Sequence, residues 1–336
     1  MEGRNEIIAE DKTAPRSRTV KTFLFVGRVV VACGLLYLVL HTVSIDKIRD
    51  ALRTASIPYV LVGAFLLVAN MALRVVKWRY MLHIVKDDSS WWESSSSMLL
   101  GITLGSFTPG QLGELGGRSM RVDHPKSSHV VGLTLVDRTQ VFLVIAAAGI
   151  FAYAFFLFTD ALAAGFFGIL AAGVCLYLYV RLDLVKKVTD RIHWRVFRHA
   201  WVDEMIDTFT FIGPDHVFPT LYYSIAYYAV LTLQMYFLVN AFVPLSIWNV
   251  FLGFSAMMFF KSLVNISISD IGVREASTVY FFSLLGVPDA AALSASGLMF
   301  TVNVIIPSIV GVFFLPRLNR AAAKGATSIF ARKDGT

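Results

Sequence analysis

The apolar positions of this chain fall into blocks of roughly 20 residues, the length that a helix needs to cross the hydrocarbon core of a membrane. The blocks are apolar all round rather than on one helical face, which is not typical of soluble amphipathic helices. The pattern predicts an all-α polytopic membrane protein with about six full spans. These lie at residues 22–41, 57–76, 130–158, 161–180, 218–242 and 290–315.

Two further apolar stretches are interrupted by helix-breaking residues. The first covers residues 94–122 and breaks at Pro109-Gly110, and the second covers residues 248–285 and breaks at residues 267–272. Broken backbone is tolerated at membrane depth only where protein or a watery cavity satisfies its polar groups. Paired interrupted segments are typical of transporter binding sites. We predict two re-entrant hairpins in an inverted repeat, or, for the second, one full span followed by a half helix.

Basic residues give the expected orientation, because lysine and arginine accumulate on the cytoplasmic side of membrane proteins. They cluster at the N-terminus, after the second span, in the loop that begins at Arg181 and in the C-terminal tail. We therefore expect both termini in the cytoplasm. The predicted organisation is a cytoplasmic tail (residues 1–20), one transmembrane domain (residues 21–316) and a basic cytoplasmic tail (residues 317–336).

Composition narrows the class of protein further. The chain of 336 residues is 56% hydrophobic and 16% charged, whereas soluble domains are about 25% charged. The net charge of +7 lies mainly at span ends, where it meets anionic lipid headgroups, so we expect no nucleic-acid partner. No Walker loop or metal-ligand spacing is present, so we expect no cofactor and no metal. The expected location is the cell (inner or plasma) membrane, with membrane lipids as partners.

Acid–arginine pairs follow both breaks. A charge at the centre of a span costs roughly 2.5–3.5 kcal/mol, so such a residue faces a partner or a cavity. Glu114 and Arg118 lie four apart and share a helix face. Arg274 and Glu275 open the helix after the second break, where free N–H groups suit an anionic headgroup. With Asp270 they are the predicted substrate-binding residues; the alternative is that each pair merely neutralises itself and fastens its hairpin.

Other charged residues are predicted to support this site. Asp137 and Arg138 point about 100° apart, so each is expected to meet another helix or the hairpin. Lys261 precedes the second break and is expected to pair with Asp270 across it. Arg74 and Lys77 are interpreted as snorkelling to the cytoplasmic interface, with Arg74 kept as a supporting residue. The remaining supporting residues are the helix breakers Pro109, Gly110, Gly113 and Gly272.

Uncharged polar residues within the spans have a structural interpretation. Hydrogen bonding between helices, the usual role of amides in membrane spans, is expected for five of them: Asn70, Gln140, Gln234, Asn240 and Asn303. The last span is expected to kink near Asn303 and Pro307.

These residues also carry a family resemblance. The motifs are Thr108-Pro109-Gly110-x-x-Gly113-Glu114-x-x-x-Arg118, Asp137-Arg138, Gly272-Val273-Arg274-Glu275 and Leu285-Gly286-Val287-Pro288. Over about residues 21–315 the chain resembles the lysylphosphatidylglycerol synthase transmembrane region family, also called flippase-like domain proteins. The family tends to have paired glycines where this chain has Ser269-Asp270. That difference leaves open a cationic or zwitterionic headgroup.

The resemblance implies a lipid-related function. It predicts a flippase that moves a phospholipid, aminoacylated or not, or a polyprenyl-phosphate-linked headgroup between leaflets. The alternative is a membrane subunit or enzyme of lipid or glycolipid modification, acting alone or with a partner transferase. Full-length synthases add a soluble lysine-transfer domain, and nothing after residue 315 resembles one, so we expect no lysyl transfer and no catalytic residues.

Overall fold

The computed structural model describes residues 53–108, 110–124, 126–158, 160–181, 184, 187, 200–264 and 270–315. Within these ranges every regular element is helical, which confirms the predicted all-α class. The predicted first span, both terminal tails, Pro109 and Ser269 lie outside the described residues.

The described part of the chain forms the following helices. They are α1 (Ile57–His83), α2 (Trp91–Ser106), α3 (Gly113–Ser119), α4 (Ser127–Leu157), α5 (Ala161–Val180), α6 (Ala200–Asp207), α7 (Pro214–Asn240), α8 (Ile247–Leu263), α9 (Val273–Ser283), α10 (Asp289–Phe300) and α11 (Ile306–Val312). A 3₁₀ turn (Thr208–Thr210) follows α6, and a π-helical turn (Thr301–Ile305) joins α10 to α11.

Four helical segments are long and apolar enough to cross a membrane: α1, α4, α5 and the continuous segment Asp289–Val312. Each coincides with a predicted span. The predicted span at residues 218–242 falls in α7, which has 27 residues but is not among these four. Its buried face carries Thr220, Ser224 and Gln234, which lower its hydropathy. The count of six full spans, the inverted repeat and the location of the termini remain predictions.

The exposed surface of the long helices is apolar. On α5, Leu162, Phe166 and Ile169 are largely exposed, and α1 presents Leu61 and Phe65 in the same way. In water such contiguous exposed apolar surface is unfavourable, whereas lipid chains cover it without cost. The location of these side chains agrees with the membrane class that the apolar blocks predict.

The long helix α4 connects two hydrophobic clusters. Toward its start, Val130 and Leu133 pack with Trp78 of α1 and Met98 of α2. Toward its end, Ile145 and Ala152 join a second cluster formed mainly by buried side chains of α7, α8, α9 and α10. Because one rigid helix belongs to both clusters, the two broken segments are placed beside the same scaffold.

Each predicted break separates two helices that pack against each other as a hairpin. Residues 265–269, which include the start of the second predicted break, lie outside the described residues. In the first, α2 and α3 are joined by a turn in which Gly110 and Gln111 have φ of +61° and +54°. In the second, α8 and α9 flank a turn in which Asp270 and Gly272 have φ of +58° and +86°. Left-handed φ ends a right-handed helix, and a non-glycine residue adopts it rarely. The helix α8 has 17 residues, whereas a helix needs about 20 to cross the hydrocarbon core of a membrane.

The first hairpin depends on close approach of two backbones. A Cβ atom on Gly117 of α3 would lie 2.8 Å from the Cα atom of Gly101 and from the carbonyl oxygen of Leu100, both on α2. A Cβ atom on the neighbouring Gly116 would meet nothing within 4 Å. Only glycine at position 117 therefore allows the two helices to pack at this distance.

The substitution Gly117→Ala is expected to lower the free energy of unfolding by about 1–3 kcal/mol, because the added methyl group forces α2 and α3 apart. Gly116→Ala is the matched control and is expected to be neutral or slightly stabilising, since alanine favours a helix by up to about 1 kcal/mol over glycine. Thermal unfolding of the purified variants in detergent measures both. Equal unfolding midpoints for the two variants would contradict this packing.

Candidate functional site

The first hairpin brings a buried group of charges together around Glu114. Its carboxylate accepts hydrogen bonds from Arg118 Nη2 at 2.5 Å and from Arg138 Nη2 at 2.6 Å. Arg74 Nη2 lies 3.4 Å away. The expected pair of Glu114 and Arg118 is confirmed, but two more arginines, from α1 and α4, share the same carboxylate.

A second carboxylate, Asp137, extends this group. Arg118 Nη1 donates to Asp137 at 2.9 Å, and the ammonium group of Lys77 lies 2.7 Å from the same carboxylate. Asp137 and Arg138 thus have separate partners, as the 100° between neighbouring helix residues predicts. The three helices α1, α3 and α4 are joined by these ion pairs.

The interpretation of Arg74 and Lys77 as snorkelling residues is wrong. The side chain of Lys77 is only 5% exposed and pairs with Asp137 inside the helix bundle. The guanidinium of Arg74 reaches Glu114 and lies 5.9 Å from the centre of the Tyr227 ring. Both side chains point inward because two acidic groups lie there, and a buried charge without a partner is strongly unfavourable.

Arg118 is enclosed by an aromatic wall as well as by carboxylates. Its guanidinium lies over the ring of Trp78, 4.6 Å from the centroid, and its side chain is only 2% exposed. The Trp78 indole N–H donates to Ser97 at 2.7 Å, which fixes the ring against α2. A guanidinium over an aromatic face gains attraction to the ring quadrupole. Arg118 therefore fixes α3 against α1 and α4 and has little surface left for a ligand.

The second hairpin carries its own charged pairs. Lys261 Nζ donates to Asp270 at 3.0 Å, which confirms the expected pair. Arg274 pairs with Glu275 and lies over the ring of Phe300 at 4.0 Å from the centroid. The second oxygen of Glu275 accepts from the backbone N–H of Gly272 at 2.8 Å, so this carboxylate caps the start of α9.

Gln111 connects the two hairpins. Its amide nitrogen donates to Asp270 at 3.2 Å, and its amide oxygen accepts from Arg138 Nη2 at 3.1 Å. Sequence reasoning missed Gln111 because it is neutral and lies in a turn. The available signal was its position between Gly110 and Gly113, inside the first break. The structure therefore places the two breaks within hydrogen-bonding distance of each other.

These groups line one cavity of about 360 Å³. Three acidic side chains (Glu114, Asp137 and Asp270) and six basic ones contribute to its wall: Arg74, Lys77, Arg118, Arg138, Lys261 and Arg274. Glu275 is not part of the lining, although it neutralises Arg274. With Glu275 counted, two positive charges remain in excess at ordinary protonation.

The cationic side chains differ in how open they are. The side chains of Arg74, Arg138 and Lys261 are 20%, 25% and 18% exposed, against 2% for Arg118. The residues predicted only to support the site are therefore its most accessible cations. Of the predicted glycines, Gly110 contributes its carbonyl oxygen, which accepts from Arg138 Nη1 at 3.1 Å.

A chain of amide hydrogen bonds lies beside the cavity, and two of its members, Asn70 and Asn303, line the wall. Asn70 donates to Asn303 at 3.0 Å, Asn303 donates to Gln234 at 2.9 Å, and Gln234 donates to the carbonyl of Gly63 at 2.8 Å. The expected hydrogen bonds between helices are confirmed for these residues and for Gln140, which donates to Thr220 at 3.0 Å. The prediction is wrong for Asn240, which bonds to the backbone at the end of its own helix. Asn303 lies in the π-helical turn. Such turns occur often at functional sites. The Oδ1 atom of buried Asn70 accepts no hydrogen bond from any described residue.

Among the described residues, no group of three histidine, cysteine, aspartate or glutamate side chains is arranged to hold a metal ion. The side chains that line the site offer ion pairing and hydrogen bonding by arginine, lysine and amide groups.

Several apolar helices around a buried charged cavity define a multi-pass membrane protein. The family described as "Lysylphosphatidylglycerol synthase TM region" matches residues 25–311, so the chain belongs to this family. The resemblance seen in the sequence is confirmed. Comparison with curated proteins found no match. Membership of the family is consistent with a membrane role related to lipids.

The substitution Arg118→Met is expected to lower the free energy of unfolding by about 3–5 kcal/mol, because it breaks two buried ion pairs and leaves Asp137 and Glu114 with less compensation. Arg74→Met removes the same charge from a longer, more open contact and is expected to cost much less. Thermal unfolding of the two variants in detergent compares them directly. A loss for Arg74→Met as large as for Arg118→Met would refute this division between an enclosed and an open cation.

Proposed function

We propose that this protein moves lipids with a phosphate-bearing headgroup between the two leaflets of a membrane. The observation that carries the proposal is the cavity, in which cationic side chains outnumber acidic ones inside a bundle of apolar helices. At low effective dielectric an uncompensated positive charge attracts an anion far more strongly than it does in water.

The open cations suit phosphate chemically. Arg74 and Arg138 present planar guanidinium groups that bind two oxygens at once, and Lys261 adds a point charge. Each of these side chains already contacts a carboxylate, so a phosphate meets groups that are oriented toward oxygen ligands. This support does not extend to Arg118, which is enclosed.

The size of the cavity favours a headgroup rather than a whole lipid. About 360 Å³ lies at the lower end of the range of about 300–1,000 Å³ that is usual for ligand pockets. We propose that the headgroup occupies the cavity while the lipid chains stay in the bilayer, against exposed apolar side chains. Broken helices beside the cavity supply the non-helical backbone that transporters use at such sites.

The free acceptor on Asn70 favours a headgroup with a hydroxyl group. A buried acceptor without a donor is unfavourable, and a glycerol or sugar hydroxyl supplies that donor. The candidate substrates are therefore phosphatidylglycerol, its aminoacylated form and polyprenyl-phosphate sugars, each of which carries both a phosphate and a hydroxyl. The two hairpins, with left-handed residues at corresponding breaks, support an inverted repeat that alternates access to this cavity.

Reconstitution into liposomes tests the proposal. We expect the protein to speed the leaflet exchange of labelled phosphatidylglycerol, lysyl-phosphatidylglycerol or a polyprenyl-phosphate sugar. Phosphatidylcholine, whose headgroup carries a phosphate but no hydroxyl group, should not be exchanged. Arg74→Gln is expected to lower the rate at least about tenfold, since a hydrogen bond to a charged group contributes about 1.5–3 kcal/mol.

The control for this experiment is Arg79→Gln. Arg79 lies on the same helix as Arg74, its guanidinium lies 4.2 Å from the centre of the Trp91 ring, and it does not line the cavity. We therefore expect the Arg79→Gln variant to exchange lipids at the wild-type rate. If folded protein exchanges none of these lipid classes, the proposed flippase activity is overturned. The alternative of a subunit for a lipid-modifying partner would then be tested by identifying what co-purifies.

A further inference from the structure

Asp270 occupies an unusual place at the second break. Both Lys261 Nζ and Gln111 Nε2 donate to its Oδ2 atom, at 3.0 Å and 3.2 Å. The residue is only 7% exposed and has a φ of +58°, a conformation that few non-glycine residues adopt. Asp270 is part of the cavity lining. Of its two donors, Gln111 belongs to the first hairpin and Lys261 to the second.

The donors around Asp270 belong to a larger converging set. Gln111 also accepts from Arg138 Nη2, so Arg138, Gln111, Asp270 and Lys261 form one continuous chain of contacts from α4 to α8. Three of these four side chains carry N–H groups, and the only acid among them is Asp270. Lys261 and Arg138 are also two of the three most open cations of the cavity.

We propose that Lys261 and Gln111, with Arg138 beside them, form an anion subsite, and that the Asp270 carboxylate occupies the Lys261 and Gln111 donors until a phosphate takes its place. A carboxylate and a phosphate offer the same kind of acceptor oxygens, so ammonium, amide and guanidinium donors suit both. This inference rests on the proposed function, because it takes the phosphate headgroup as the competing ligand. It assigns Asp270 as an internal competitor rather than a binding residue.

The competition has a consequence for the two hairpins. Because Gln111 belongs to the first break and Asp270 to the second, their hydrogen bond ties the breaks together. Both residues have left-handed φ, and such backbone persists only where the surroundings hold it. A phosphate that displaces Asp270 removes this tie at the moment it binds. Substrate binding and release of the hairpins are thereby the same event.

The inference can be tested because the opposite role for Asp270 predicts the opposite change in ligand affinity. If Asp270 instead binds a cationic group of the headgroup, such as the amine of an aminoacyl lipid, removal of its charge weakens substrate binding. If Asp270 is an internal competitor, removal of its charge strengthens the binding of a simple anion. The substitution Asp270→Asn separates the two cases and keeps a residue that tolerates left-handed φ.

The experiment measures binding of glycerol 3-phosphate to purified protein in detergent by calorimetry. We expect Asp270→Asn to bind about tenfold more tightly than the wild type, because a larger fraction of the protein has an open subsite. Asp123→Asn is the matched control: Asp123 is exposed, does not line the cavity and should leave the affinity unchanged. If the wild type binds glycerol 3-phosphate and Asp270→Asn weakens this binding or leaves it unchanged, the inference is overturned, but the phosphate site stands.

The substitution Lys261→Met gives a second, independent test of the anion subsite. It keeps a long side chain but removes the charge, so we expect glycerol 3-phosphate binding to fall at least about tenfold. Unchanged or tighter binding would overturn the inference even if Asp270→Asn fails to fold. If neither variant nor the wild type binds, the phosphate site itself fails, and the proposed substrate class with it. If the affinities change as expected but the protein exchanges no lipid in liposomes, only the proposed flippase activity is overturned.

Discussion

The buried guanidinium of Arg118 bridges Glu114 and Asp137, and the arrangement of the site depends on it. These contacts join α3 to α4, and Lys77 extends them to α1. Removing charges from water is unfavourable unless each finds a partner and hydrogen bonds in compensation. Three helices must therefore keep the register in which these groups meet. The cavity forms where this network leaves more positive charge than it neutralises.

The two breaks are alike in backbone but not in the use of their charges. Each contains a left-handed glycine and a left-handed polar residue, Gln111 or Asp270, and each is followed by an acid–arginine pair. In the first hairpin the pair is enclosed by Trp78 and fastens the structure. In the second, Glu275 caps α9, and Arg274 stays at the cavity wall. We propose that the first break supplies rigidity and the second supplies the change on binding.

Local patterns in the sequence predicted the helical class and the four helical segments that are long and apolar enough to cross a membrane. Apolar blocks located α4 and α5, and spacing of four residues predicted the pair of Glu114 and Arg118, because both signals lie within one element. The contact of Lys77 with Asp137 was missed because it joins residues of different helices, and no local pattern encodes that packing. Gln111 was missed because a neutral side chain in a turn gives no charge signal. The accessible face of the cavity likewise follows from tertiary packing alone.

The central claim is that the cavity beside the two breaks binds a headgroup that carries a phosphate and a hydroxyl group. An experimental structure in nanodiscs that contain phosphatidylglycerol, beside one in nanodiscs of phosphatidylcholine alone, tests it most directly. The account predicts headgroup density in the cavity between Arg74, Arg138 and Lys261 only with the anionic lipid, with the Asp270 carboxylate moved away from Lys261. Anionic lipid confined to the outer surface of the helices, with the cavity unchanged, would contradict it.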